Sequence, residues 1–291
     1  MSKSTAKYTV DVKTLLEAGA HFGHRTSRWN PNMRPYIYDK RGGIHIIDLT
    51  QTATLLQQAA AFIETVTASG KQVLFVGTKK HIAPTVEAAA KQAEMPYVTQ
   101  RWFGGILTNF ATINKRIQYF QQLLDDLESG DLEDTYNKRE ILEFAAERDK
   151  LSQSFGGLLG MDRLPGALFV TDVLTEKTAV AEANRLGIPV IGIVDSNADP
   201  TPIDYPIPAN DDARKTVELI ASYITEAVTA GRNDYNKQPQ ANEASETNKS
   251  DTSKSTASKS GAGSKAKTQD DTSATSSSAK AKSSKAGKEA S

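Results

Sequence analysis

Gln72-Val73-Leu74-Phe75-Val76 runs directly into Gly77-Thr78-Lys79-Lys80, and Pro84 then opens an amphipathic segment that reaches Ala93. A short, wholly apolar run is a strand buried on both faces. Pro84 is tolerated only in the first turn of a helix, so a helix over His81–Ala93 is expected there. Strand, tight turn and crossover helix together predict one unit of a parallel sheet.

The same grammar recurs on either side. Val12–Ala18 reads as a short helix, Ile44–Ile47 as a strand, and Thr50–Ala68 as a helix. Tyr97-Val98 is a short strand, Ala167–Thr171 and Val190–Val194 are strands, and Lys177–Leu186 and about Asn210–Thr229 are helices. The alternation predicts an α/β fold: a parallel sheet with helices on both faces, its ligand sites at the carboxyl ends of strands.

One segment breaks this alternation. Ile106, Phe110, Ile113, Ile117, Phe120, Leu124 and Leu127 follow a heptad spacing. Ser129-Gly130-Asp131 reads as a turn, and Asn137 with Glu140 as the cap of a second helix carrying Ile141, Phe144, Leu151 and Phe155. Two long helices joined by a short link pack antiparallel. The expected layout is therefore a discontinuous α/β domain over 1–105 and 156–235, an inserted coiled-coil hairpin over 106–155, and a tail over 236–291. A second chain is the other partner the heptad seam would accept, but the turn and the returning stripe favour pairing within the chain.

The tail holds no Val, Ile, Leu, Met, Phe, Trp or Tyr, so it cannot offset its conformational entropy and is expected to be disordered. Its ten lysines against six acids make it a weak electrostatic tether or an inert solubilising segment. With no cysteine, disulfides and Cys-ligated metals are excluded. No apolar run approaches bilayer length and Met1–Lys13 has no apolar stretch, so a soluble cytoplasmic protein is expected.

Charge is balanced overall, at 35 basic and 35 acidic side chains, but not along the chain. Residues 1–41 carry eight Lys/Arg against three acids, and 71–105 five against two. Residues 106–155 carry six against ten, and 156–236 six against twelve. The two tryptophans each follow an arginine inside a basic segment: Arg28-Trp29 before Asn30-Pro31, and Arg101-Trp102 before Phe103-Gly104-Gly105. An Arg beside an indole on a glycine- or proline-broken loop can hold a phosphate and stack on a base. Either Trp alone is better explained as a core residue, and the charges could scatter over the surface. The pairing points to nucleic acid and to one positive face.

The candidate contact residues are His21, Phe22, His24, Arg25, Arg28, Trp29 and Asn30; Thr78, Lys79 and Lys80; and Arg101, Trp102, Gly104, Gly105, Thr108 and Asn109. Gly77–Lys80 forms a phosphate-binding corner at a helix N-terminus. It lacks nucleotide-loop spacing, so an ordinary strand-to-helix turn explains it equally. His21 and His24 with Asp195, Asp199 or Asp204 could ligate a metal, but with only four histidines and no compact ligand motif no metal and no cofactor are expected. Asp195–Pro200 reads as turn chemistry, and no catalytic set accompanies it. Two other classes stay open: a nucleotide- or phosphosugar-binding protein using Gly77–Lys80, and an adaptor whose hairpin pairs with another coiled coil.

Ala18–His24 with Trp29-Asn30-Pro31, Leu74–Lys79, Arg101–Gly105 with Leu107-Thr108-Asn109, and Gly187–Val190 with Asp195-Ser196-Asn197 resemble the bacterial small-subunit ribosomal protein S2 family, in order and spacing, over roughly residues 8–230. The resemblance implies a Rossmann-like or flavodoxin-like domain with a protruding coiled-coil hairpin. It implies no enzyme, binding to 16S ribosomal RNA late in assembly near the head–body junction, and contact with other small-subunit proteins, including the large mRNA-binding one. It implies neither a membrane, a small-molecule substrate nor a homo-oligomer. Two places depart from the family pattern: Leu151–Met161 lacks the usual lysines, and Gly166 stands where aspartate is usual.

Overall fold

In the computed structural model, which describes residues 7–129 and 136–237, the run Val73–Val76 is the second strand of a five-stranded parallel sheet. In chain order the elements are α1 (Val12–Glu17), β1 (Phe22–Arg25), β2 (Ile37–Arg41), β3 (Ile44–Ile47), α2 (Leu49–Ala68), β4 (Val73–Val76), α3 (Ala83–Ala93), β5 (Tyr97–Val98), α4 (Phe110–Ser129), α5 (Lys138–Phe155), β6 (Ala167–Val170), α6 (Lys177–Leu186), β7 (Val190–Val194), β8 (Tyr205–Pro208) and α7 (Arg214–Lys237). The large sheet has the order β5-β4-β6-β7-β8. Counted among its own strands this is 2-1-3-4-5, the flavodoxin-like order, whose switch point lies between β4 and β6. Val73 to Val76 of β4 pair in register with Ala167 to Val170 of β6.

Strand residues alternate between two cores. Val73, Phe75, Phe169, Ile191, Ile193 and Ile207 point to α2, α3 and α7. Leu74, Val76, Leu168, Val170, Val190 and Val194 point to α4, α5 and α6. Each large side chain fully buried this way contributes roughly 1.5–3 kcal/mol. Short polar side chains start the helices: Asp11 caps α1, Asp48 caps α2, and Asn137 forms a capping box with Glu140 on α5. Glu94 (φ 52°) and Gly187 (φ 68°) end α3 and α6 in left-handed geometry. No described helix is long and apolar enough to cross a membrane.

Several expectations need correction. Ile44–Ile47 is not in the parallel sheet; it is the middle strand of a separate antiparallel sheet, β1-β3-β2. Phe22–Arg25, whose sequence suggests an open contact loop, is an edge strand of that sheet. The long helix begins at Phe110, leaving Ile106 fully buried in the turns before it. The last helix continues to Lys237, so the first two residues assigned to the tail belong to the fold; the rest of the tail and the turn expected after Ser129 lie outside the described residues. α4 and α5 contact each other, with Tyr119 donating to Glu147 at 3.2 Å and with Ile117, Phe120, Leu151 and Phe155 buried. Gly166 sits where a Cβ would come within 2.6 Å of the Lys71 side chain and 2.9 Å of Val66, so packing favours glycine there.

Candidate nucleic-acid interface

The carboxyl end of the parallel sheet gathers most of the candidate residues, but with a different charge from the one expected. Lys79, just beyond β4, has its Nζ within 2.9 Å of Asp172, 2.9 Å of Asp211 and 2.8 Å of Asp212. An ammonium has three protons, and all three are spent here. Burial alone would lower the Lys79 pKa; Asp212, Asp211 and Asp172 outweigh it and hold the pKa above its ordinary value. Thr78 is likewise turned inward, its backbone N–H and hydroxyl both donating to Glu176. Burial raises the Glu176 pKa. Gly77 is required by packing, since a Cβ would meet Thr171 Oγ1 at 2.4 Å. The corner expected to be a phosphate cradle is therefore an internal clamp between β4, β6 and the loop leading into α7. Of its two lysines, Lys80 is exposed.

Next to the clamp, His24 Nδ1 lies 3.0 Å from Asp195 Oδ2 and Nε2 lies 3.4 Å from Asp212 Oδ2. The hydrogen bond to Asp195 raises the His24 pKa against the opposing effect of burial. Asp211 is buried beside Asp172 and Asp195, and its pKa is pushed up to about 7. His24, Asp195 and Asp211 offer ligand atoms within 4.8 Å of one another, the one group with metal-ligand spacing among the described residues. Of the other aspartates weighed as possible ligands, Asp199 accepts from Asn32 and Thr201, and Asp204 from the Val190 N–H. His21 packs on Phe22 at 3.9 Å, and burial lowers its pKa.

The amino-terminal basic segment docks on this end of the sheet through backbone contacts. The His24 N–H donates to Ser196 Oγ (2.7 Å) and the Asn30 N–H to Ser196 O (2.9 Å). Gly23 is needed at the joint, where a Cβ would lie 2.7 Å from Ser196 Oγ. Asn30 Oδ1 caps the following 3-10 turn by accepting from the Asn32 N–H. Trp29 is half-buried against His45, ring centroids 5.3 Å apart. Arg25 and Arg28 are exposed and line a cleft of about 630 Å³ with His24, Ser27, Asn210 and Asp212. Phe22 is also exposed.

The second pair leaves β5. Arg101, Phe103 and Gly104 face solvent, while Trp102 is buried and its indole N–H donates to Glu182. The exposed ring here is that of its neighbour Phe103, which stands inside the Arg101–Gly105 motif but is not among the candidate contact residues. Gly105 takes φ 97°, and Thr108 donates its hydroxyl to Glu182. Asn109 is exposed and accepts from the Thr112 hydroxyl. Glu182 is unmarked in the sequence. Its only signal is an acid three residues beyond Ala179 on a face otherwise given to the core.

The two Arg-Trp pairs therefore share one end of the sheet without forming a single patch. One rests on the loop after β7 and the other follows β5, three strand spacings apart, or roughly 14 Å at about 4.8 Å each. Asp172, Glu176, Asp195 and Asp211 lie buried at this same end of the sheet. The arrangement is basic side chains facing solvent beside buried acids.

Residues 15–231 match the family model described as Ribosomal protein S2. The small ribosomal subunit protein uS2 of Roseiflexus sp. (strain RS-1) is 52% identical over 228 residues, 78% of this chain and 87% of that one. Its counterpart in Syntrophobacter fumaroxidans is 47% identical over 237 residues, 81% and 86% of the two chains. That of Flavobacterium johnsoniae is 46% identical over 237 residues, 81% and 93%. With the motifs, the sheet order and these similarities in agreement over the described core, the chain belongs to the ribosomal protein S2 family.

Proposed function

We propose that the chain is a structural, non-enzymatic constituent of the small ribosomal subunit that holds 16S ribosomal RNA by its two basic margins. Family membership supports the ribosomal role. The outward set of Arg101, Phe103 and Gly104 is the observation that carries the RNA reading: an exposed guanidinium, an exposed ring, and a backbone with none of the described atoms within 4 Å of where its Cβ would lie. A guanidinium neutralises phosphate while an aromatic stacks on an unpaired base, and an open glycine permits close approach. Arg25, Arg28, Phe22 and Lys80 supply the other contacts. His24, Thr78, Lys79, Trp102 and Thr108 serve by shaping the backbone, since their polar groups are already engaged.

The acidic helix pair α4–α5, the insertion between the two parts of the α/β domain, faces protein or solvent in this reading. Other small-subunit proteins, including the large mRNA-binding one, are its expected partners, and the chain acts as a single copy. A nucleotide site at Gly77–Lys80 is disfavoured because Lys79 is saturated by carboxylates. The test is crosslinking in cells followed by sedimentation. Co-migration with the 30S particle and crosslinks from residues 25–28 and 101–104 to 16S RNA are expected; crosslinks absent from both segments would refute the reading.

A further inference from the structure

We infer that Glu182 is the positioning residue of the Arg101–Asn109 loop, its buried carboxylate fixing which loop residues face outward; this rests on the RNA-contact reading above. Glu182 stands on α6 and is 8% exposed. Its Oε1 accepts from the Trp102 indole N–H at 3.1 Å and the Gly105 N–H at 2.8 Å. Its Oε2 accepts from the Leu107 N–H at 3.1 Å, the Thr108 N–H at 3.0 Å and the Thr108 hydroxyl at 3.0 Å.

A carboxylate has about four lone-pair sites, so five donors saturate it. The loop that supplies them joins β5 to α4 and pairs with no strand. Successive inward N–H groups just ahead of a helix form a concavity that selects an anion. In this protein the anion is a side chain held by a packed helix, with Ala179, Val180 and Ala183 of the same element in the core. Turning those donors inward leaves Arg101, Phe103 and Gly104 outward. Burial would raise the Glu182 pKa; the bonds from Gly105, Thr108 and Trp102 outweigh it and hold it below the usual value. Glu182 thus stays charged at neutral pH, where the five donors need it.

The test uses the full-length protein, small-subunit particles lacking their uS2 protein, and the variants E182Q, R101A and the double. Glutamine keeps the shape but turns an amide donor toward N–H groups that are themselves donors. In fluorotryptophan-labelled protein the Trp102 resonance, assigned with W102F, reports the loop. E182Q is expected to shift that resonance and weaken particle binding roughly tenfold, the scale of one missing charge-assisted bond. R101A is expected to weaken binding with the resonance in place, and the double to fall short of the product of the two effects, because a loose loop no longer presents Arg101. Unchanged binding by E182Q, or effects that multiply in full, would overturn the proposal. Should R101A alone bind normally, the RNA reading fails, and the resonance of E182Q still decides whether Glu182 fixes the loop. If E182Q does not fold, T108V removes one donor of the five; smaller changes in the same two readouts are expected, and no change in either rejects the inference.

Discussion

Trp102 and Phe103 are adjacent in sequence and face opposite ways. Trp102 is 9% exposed with its indole N–H 3.1 Å from Glu182, whereas Phe103 is 37% exposed and lies over Phe155 with ring centroids 6.0 Å apart. Their truncations should separate. F103A is expected to weaken RNA binding by about 1–3 kcal/mol, the value of a base stack, with little change in stability. W102A is expected to lower stability by about 3–5 kcal/mol through the cavity it leaves. Binding titrations beside denaturant curves check both; the opposite pattern would mean the ring in contact with RNA is Trp102.

Arg101 should neutralise a phosphate. Replacing it with glutamate is expected to weaken binding and to flatten the log–log salt dependence by about 0.7–0.9 for each phosphate left without its cation. A slope identical to that of the parent protein would remove Arg101 from the interface.

Lys79 should behave as a structural clamp. Lys79→Met leaves Asp172 and Asp211 buried without their cation, so stability is expected to fall by about 3–5 kcal/mol. Chemical denaturation measures it. Parent-like stability combined with weakened RNA binding would instead return Lys79 to the interface.

Asp48 caps α2 through the Thr50 N–H at 2.9 Å and also accepts from Gln51. Burial would raise its pKa; the bonds from Gln51 and Thr50 outweigh that and hold it below the ordinary aspartate value. A depressed carboxylate stabilises the fold above its unfolded pKa and loses that contribution as pH falls through the folded one. D48A should therefore cost about 1 kcal/mol at neutral pH and progressively less below pH ~4. Thermal melts of the two proteins at about pH 7 and about pH 3, on either side of that ordinary value, give the comparison, and a gap that widens in acid would contradict the capping role.

Gly231 sits where α7 crosses α2, and a Cβ there would lie 2.0 Å from Thr67 Oγ1 and 2.4 Å from Glu64 O. G231A should destabilise by about 1–3 kcal/mol, as overpacking does, and a melting temperature at or above that of the parent would show that the crossing has slack.

How far the sequence could be read follows from the range of the interactions. β4 and β7 are legible because their apolar runs are unbroken, and the Asn137–Glu140 cap because both partners are three residues apart. β8 is hidden by Pro206 and Pro208, which an edge strand tolerates and a central one does not. β1 and β2 are hidden because short strands with Gly23 or with Asp39-Lys40-Arg41 look like loops until β3 pairs with both. At the site, exposure of Arg25, Arg28 and Arg101 follows from charge alone. The engagement of Lys79 does not, since its partners lie 93 to 133 positions away in the chain. Nor does the inward turn of Trp102, which depends on one acid on α6.

The docking of the amino-terminal segment on Ser196 carries a consequence for biosynthesis. The His24 N–H and its acceptor are separated by 172 positions. The first forty-odd residues therefore leave the translating ribosome long before the loop that seats them has been made. Throughout that interval their arginines and lysines lack the Ser196 contact, so the basic margin at Arg25 and Arg28 takes its final form only once the loop carrying Ser196 has been made.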